Sequence, residues 1–163
     1  MTVNHFESER LLFREICEED AELIVRWRSD PSIYRCFRKS EPLTMKKHLN
    51  WYNTQYLNNP KRVEYIIIHR ESNTPIGIVG ISDLKEISLE VGYLIGETTY
   101  QKQGYAVEAI NAVVCCYRKI GITNFFAEIR SDNIASIKTV EKCGFEMDKE
   151  IDSDFLLYKR MCK

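Results

Sequence analysis

The sequence predicts an α/β fold built on one mixed sheet, and two stretches carry most of that reading. Ile87, Leu89, Val91, Tyr93 and Ile95 alternate with Ser88, Glu90, Gly92, Leu94 and Gly96, the two-residue period of a strand with one face on a core. After the loop at Gly104, Ala106, Ile110, Val113, Tyr117 and Ile120 recur every three or four residues as far as Gly121. That is the stripe of an amphipathic helix, closed by a residue that tolerates positive φ. A third observation sets the sheet type. Short turns join some strand-like segments and helices join others, so antiparallel hairpins and a parallel crossover share one sheet.

Taken in order, Leu11 to Ile16 reads as a strand, and Glu18, Glu19 and Asp20 place negative charge at the positive end of the helix that follows. Leu23, Ile24 and Trp27 give that helix its apolar face, and Asp30-Pro31 ends it. A short helical piece is expected around Tyr34 to Arg38. Thr44 is a candidate N-cap for a helix whose stripe is Met45, Leu49, Tyr52 and Tyr56, stopped at Asn58-Asn59-Pro60. Strands over Val63–His69, Ile76–Leu84 and Ile87–Ile95 follow as a meander, parted by Asn73-Thr74-Pro75 and by Lys85-Glu86. Beyond the long helix, Phe125–Ile129 reads as a strand and Ile134–Cys143 as a helix stopped by Gly144. Phe145–Ile151 and Phe155–Met161 form a final hairpin. The expected order is β-α-α-β-β-β-α-β-α-β-β, with helices on both sheet faces.

The 163 residues suit one domain spanning 1–163, and 44% hydrophobic with 29% charged residues excludes a disordered chain. Lys plus Arg number 23 against 24 Asp plus Glu, a formal charge of −1, so no global positive field holds a nucleic-acid backbone. No apolar run approaches the roughly 18 to 20 residues that span a bilayer, and the N-terminal stretch lacks a signal-peptide core. A cytoplasmic protein is expected. The six cysteines show no metal or redox spacing, so no metal is expected, and Cys115 and Cys116 read as small buried apolar residues.

Ligands of parallel α/β units gather at the carboxyl ends of strands, which directs attention to the loop after Ile95. It reads Gln101-Lys102-Gln103-Gly104-Tyr105-Ala106 and opens the surest helix. The first N–H groups of a helix have no intrahelical partner and carry partial positive charge, so they converge well on a phosphate or pyrophosphate. Gly104 permits close backbone approach, and the small Ala106 keeps the first turn clear. The segment matches neither the dinucleotide G-x-G-x-x-G pattern nor the P-loop.

The pattern Q-x-x-G-x-[GA] at this position resembles the acetyl-CoA pyrophosphate loop of the GNAT superfamily of N-acetyltransferases. Asn133-x-x-Ser136 followed by Glu141-Lys142-Cys143-Gly144-Phe145 is similar to the ending of many members. The resemblance covers residues 8 to 162 and includes the ribosomal-protein N-terminal acetyltransferase branch. It implies direct acetyl transfer from acetyl-CoA, without metal, in a cleft where the strands Ile87–Ile95 and Phe125–Ile129 splay apart. The same resemblance assigns Leu94, Ile95, Gln101, Lys102, Gln103, Gly104, Tyr105, Ala106, Asn133 and Ser136 to the cofactor. A main-chain N–H near Leu94 or Ile95 is then expected to stabilise the developing oxyanion.

An acceptor ammonium must lose a proton before it can attack, so a carboxylate or water chain is expected nearby. Glu128 matches a glutamate that serves as base in part of the family, and Glu90 matches a recurrent acidic position near the acceptor. Either could equally be a solvated strand residue. Twelve residues after Glu128, where many members place a tyrosine that protonates the departing thiolate, this chain has Val140. Valine cannot donate a proton, which leaves Ser136, another tyrosine or solvent, with Ser136 preferred. Ser136 could instead simply bond backbone at a helix start.

Residues 26 to 48 hold seven basic residues (Arg26, Arg28, Arg35, Arg38, Lys39, Lys46, Lys47) against Asp30 and Glu41. Six aromatics, Trp27, Tyr34, Phe37, Trp51, Tyr52 and Tyr56, fall within the same region and just beyond it. Guanidinium groups pair with phosphates and aromatic faces stack on bases, which suggests a nucleotide-linked amino-sugar. The pattern Trp27-Arg28 … Pro31 and Glu41 … His48-Leu49-Asn50-Trp51-Tyr52 also looks like acetyltransferases acting on UDP-linked amino-sugars. The acceptor-side candidates are Trp27, Arg28, Tyr34, Phe37, His48, Trp51 and Tyr93, although a lone histidine such as His48 is more often a surface residue. Other readings stay open: a protein α-amine or another small amine as acceptor, an acyl-CoA-binding sensor without chemistry, and an RNA-binding patch. Whether the chain forms a homodimer is also open.

Overall fold

The computed structural model describes residues 3–163. Eight strands form one mixed sheet: β1 (His5–Glu7), β2 (Leu11–Glu15), β3 (Val63–His69), β4 (Thr74–Ser82), β5 (Ser88–Ile95), β6 (Asn124–Arg130), β7 (Glu146–Glu150) and β8 (Phe155–Met161). Their spatial order is β1-β2-β3-β4-β5-β6-β8-β7. Among the described residues only the β5–β6 pair is parallel, as a crossover through a helix requires. The helices are α1 (Ala21–Arg28), α2 (Pro31–Tyr34), α3 (Met45–Trp51), α4 (Tyr105–Arg118) and α5 (Ile134–Lys142). This is the α/β mixed-sheet architecture that the sequence predicts, with a short hairpin strand, β1, added at the start.

Each sheet face carries its own core. Tyr105, Ala109, Ile110, Val113, Val114 and Tyr117 of α4 and Val140 of α5 pack with Leu11, Phe13, Tyr65, Val79, Leu89, Val91 and Phe125. On the other face, Ile24 and Trp27 of α1, Ile33 of α2, and Tyr52 and Tyr56 pack on Ile66, Ile78 and Leu94. Strand β3 is buried from Val63 to Ile67 because it lies between the two. Its near-continuous apolar run is what two-sided burial demands.

The splay at the sheet centre has a visible cause. Register between β5 and β6 holds only for Ser88–Asn124, Leu89–Phe125 and Glu90–Phe126. Strand β6 stays with β8 along its whole length, Asn124 to Arg130, while β5 stays with β4 as far as Ile95. Two glycines fasten β5 to its side: a Cβ on Gly77 would collide with the Leu94 carbonyl, and one on Gly96 would collide with the Trp27 indole. The parallel pair therefore parts after Glu90, and a cleft opens towards the carboxyl ends of both strands.

Several local expectations need correction. Pro31 does not merely end α1. Asp30 caps a new helix by accepting from the Ser32 amide (2.8 Å), and Pro31 takes the first position, where its missing N–H costs nothing. The helical piece thus begins earlier than the expected Tyr34–Arg38, covering Pro31–Tyr34, and Arg35–Arg38 is turn and bend. Thr44 does cap α3, accepting from Lys47 N, and the helix continues through a π-turn at Tyr52–Tyr56. Ile87 is 50% exposed because it precedes the strand rather than opening it. Cys115 is exposed and Cys116 only half-buried, since the buried stripe of α4 runs through Tyr105, Ala109, Val113 and Tyr117 on another side of the helix.

Candidate active site

The loop before α4 is held from three directions. Its first α-helical backbone bond runs from Glu108 N–H to Gly104 O, so the amides of residues 105 to 107 precede the ladder. Lys102 and Gly104 take left-handed conformations, φ 59° and 83°, which fold the chain back so that helix and strand end meet at the cleft. Gln101 Nε2 donates to Ile95 O (3.0 Å), tying the loop to the end of β5. Arg10 braces the other side. It donates from Nε to Glu108 (2.6 Å) and from Nη1 to Gln103 O (3.1 Å), and it lies 4.2 Å over the Tyr105 ring. Glu108 also accepts from Ser8 Oγ and Arg10 N, so its carboxyl pKa lies below the usual range despite burial. Arg10 and Ser8 had no signal in the sequence, being 98 and 100 residues from their partner.

Register decides which strand amides face the cleft. Gly96 N–H donates to Ile76 O across the β4–β5 pair, and partners in antiparallel strands alternate towards and away from the neighbour. Leu94 therefore directs its N–H and C=O to β4, whereas Ile95 and Tyr93 direct theirs to the gap. Of the two amides considered for the oxyanion, geometry leaves Ile95.

At the start of α5, Asn133 Oδ1 accepts from Ser136 N–H (3.2 Å) and supplies the cap. The Ser136 hydroxyl is thus not needed for capping. It accepts from the Tyr93 hydroxyl (3.0 Å), which joins β5 and α5 across the mouth of the splay. Burial raises the Tyr93 phenol above its ordinary pKa, so it stays protonated and can donate. Tyr93 is thereby tied to the start of α5. Val140 points into the core, 1% exposed.

On the opposite face, Glu64, Gly80 and Gly92 lie in one register row across β3, β4 and β5. The Glu64 Cγ lies 3.2 Å from where a Gly80 Cβ would stand, and nothing lies within 4 Å of one on Gly92. The two glycines make an open floor. Glu90 and Glu128 border it, since Glu90 pairs with Phe126 and Glu128 follows two residues on, on the same face. Burial first, and then the charges of Glu128 and Asp83, push the Glu90 carboxyl above its usual pKa, while Arg62 and Arg38 oppose the shift. Glu128 is exposed, and its Oε2 accepts from Arg38 Nε and Nη2 at 3.0 and 2.8 Å.

The basic aromatic segment turns mostly inwards. Trp27 is 1% exposed and donates its indole N–H to Glu97 (2.8 Å), so it shapes the wall from behind and is no acceptor contact. Tyr52 and Tyr56 are buried and stack on each other, and Trp51 is half-buried beneath Arg62. His48 is not a surface residue: it is 2% exposed beside Trp51, its Nε2 has no partner among the described residues, and burial lowers its pKa. Tyr34 and Phe37 are half-buried, and Phe37 packs against the α1–α3 core. Arg28 rides 4.6 Å over Phe37, with no ion pair among the described residues. Aromatic faces spent in a core cannot stack on exposed bases, which weakens the RNA-binding reading.

Fold and site together define a class: a splayed parallel pair with an amide-rich helix start beside the gap. The comparisons agree. Residues 10–146 match the acetyltransferase (GNAT) domain family, and the chain belongs to that family. An uncharacterized protein of Methanocaldococcus jannaschii, MJ1062, is 34% identical over 147 residues, 88% of this chain but 30% of that protein. The chain thus spans under a third of that relative's length. The crystal structure of a domain from M. jannaschii superposes with a TM-score of 0.85 at 32% identity, covering 94% of this chain and 99% of that one. The uncharacterized N-acetyltransferase YoaA of Bacillus subtilis is 28% identical, over 87% of this chain and 82% of its own. No described helix is long and apolar enough to cross a membrane, and no group of three or more metal-ligating side chains occurs among the described residues.

Proposed function

We propose that this chain is an acetyl-CoA-dependent N-acetyltransferase in which an acceptor amine attacks the thioester directly. The observation that carries the reading is the set of free amides opening α4, placed beside the gap into which the Ile95 N–H points. The residues present fit acetyl-CoA. Amides 105 to 107 with Lys102 suit a pyrophosphate, and the widening gap between β5 and β6 suits a narrow pantetheine arm. When bound, acetyl-CoA supplies an activated acyl carbonyl and a thiol leaving group.

The chain's own residues then divide the work. Glu90 takes the proton of the acceptor ammonium, since its raised pKa brings it nearer neutral pH than an ordinary carboxylate. Glu128, paired with Arg38, helps draw the ammonium in. The Ile95 N–H donates to the oxygen on which negative charge develops. Ser136 gives its proton to the leaving sulfur and takes one from the Tyr93 hydroxyl bonded to it, and the second proton that the acceptor nitrogen sheds on becoming an amide restores Tyr93 through solvent. This pair stands in for the tyrosine that Val140 replaces.

For the acceptor, we favour an amine that carries an anionic group, such as a UDP-linked amino-sugar. An unpaired guanidinium that is half-buried gains most from a charged partner, and Arg28 over Phe37 is such a group at the cleft wall. A protein α-amine is the second reading. The enzyme would work in the cytoplasm, where acetyl-CoA is found. The test is thiol release from acetyl-CoA against a panel of UDP-linked amino-sugars, N-terminal peptides and polyamines. Release with the anionic amines, reduced by Arg28→Gln through KM, is the expected result. Release with none of them, alongside tight acetyl-CoA binding, would favour a sensor.

A further inference from the structure

The guanidinium of Arg38 is held more completely than any exposed side chain needs for stability. It sits in the irregular segment between α2 and α3, on the α1–α3 wall of the cleft. Its Nε and Nη2 both donate to Glu128 Oε2 on β6, at 3.0 and 2.8 Å. Its Nη1 donates to Asp152 Oδ2 in the β7–β8 turn (2.9 Å), and its flat face lies 4.0 Å over the Phe155 ring. Asp152 is itself fixed, with Oδ1 accepting from the amides of Asp154 and Phe155, both at 2.9 Å. Every edge of the fork is used, and the three anchors come from the wall across the splay. An exposed ion pair contributes little to stability, so geometry is what such an arrangement supplies.

Building on the acetyl-transfer reading, we propose that Arg38 is a positioning residue of the acceptor site. It spans the splay, grips one oxygen of Glu128, and leaves the other free for the acceptor ammonium. Glu128 Oε1 has no hydrogen-bond partner among the described residues, which matches that division. By pairing with Glu128, Arg38 also offsets the charge that Glu128 sets beside Glu90. The charged groups that act on Glu90 are Glu128 on β6, Asp83 in the turn after β4, Arg62 before β3, and Arg38 itself. Removing Arg38 exposes Glu90 to an uncompensated Glu128.

Two measurements test this. The first needs no substrate: carboxyl ¹³C titration of the free protein should show Glu90 moving to higher pH in Arg38→Gln, and staying near the wild-type position in Arg38→Lys, which keeps the charge. The second is steady-state kinetics. Misplacing a reacting group by about 1 Å costs roughly 100-fold, so Arg38→Gln and Arg38→Lys should both lower acceptor kcat/KM by about 10- to 100-fold. The KM for acetyl-CoA and the melting temperature should barely move. Asp152→Asn, which removes one anchor, should act in the same direction and less. An unchanged Glu90 titration in Arg38→Gln overturns the proposal, and so do equal losses on the acetyl-CoA and acceptor sides. Wild-type protein without turnover would count against the acetyl-transfer reading alone, with the carboxyl titration still deciding the role of Arg38.

Discussion

The two faces of the sheet solve different problems with different chemistry. On the α4–α5 face, the candidate site is mostly backbone: helix-start amides, the Ile95 N–H and an Asn133 cap, all on elements fixed by apolar packing. On the α1–α3 face, it is mostly side chains: Glu90, Glu128, Arg28 and Arg38, brought from four separate segments over a floor of Gly80 and Gly92. Backbone recognition suits a ligand whose shape is shared by a whole family. Side-chain recognition suits an acceptor that differs from member to member, because it can change without disturbing the fold.

The largest way to break this comparison is to remove the proposed base. Glu90→Gln should lower kcat/KM for the acceptor by about 10²- to 10⁴-fold while acetyl-CoA affinity, measured by calorimetry, stays within a few-fold. In the wild type, activity should fall as pH drops through the raised Glu90 pKa, so the acid limb should lie above the usual carboxylate range. An acid limb left in place by Glu90→Gln would move the role of base to Glu128.

Trp27→Ala comes next. Emptying the site of a fully buried indole that packs on Gly96 should cost about 3 to 5 kcal/mol in urea unfolding. A loss confined to acceptor KM, with stability intact, would instead make Trp27 a contact.

Gly104→Val tests the other face. A β-branched residue held at φ 83° is strained by about 1 to 3 kcal/mol and stands at the proposed phosphate site. Acetyl-CoA affinity should drop roughly 10- to 100-fold, with acceptor specificity unchanged in residual turnover.

The smallest effect sharpens the picture of the acceptor wall. His48 is buried in its neutral form with a lowered pKa, so below about pH 6.5 the unfolded chain binds a proton that the folded one refuses. Stability should therefore fall as pH drops from about 6.5, by at most about 1.4 kcal/mol per pH unit, until the folded-state pKa is reached. Glu90 works in the opposite sense, since its raised pKa makes folding take up a proton as pH falls. Comparing urea midpoints of wild type and His48→Phe between pH 5 and 7 isolates the histidine. Equal slopes would show that His48 is protonated when folded.

What could be read in advance followed the same division. The alternation in β5, the α4 stripe and the Thr44 cap are local, and each was legible because strand and helix periods repeat along the chain. The Gly104 loop was legible because a helix start binds anions wherever it occurs. The buried state of His48 and the inward turn of Trp27, Tyr52 and Tyr56 were not, since a basic aromatic stretch has the same composition whichever way its rings face. Arg38–Glu128 and Arg10–Glu108 were not legible either, as their partners lie 90 and 98 residues apart.

Sequence by itself determined the family, the order of elements from β2 onwards and the glycine bend opening α4, because those depend on nearest-neighbour spacing and on backbone groups that every residue carries. Tertiary structure alone decided which amide of β5 faces the gap, which two hydroxyls meet across the splay, and which carboxylate is compensated by an arginine. Those choices rest on register and on charges that meet only after the sheet has closed, and Coulomb energy depends on distance through space rather than along the chain.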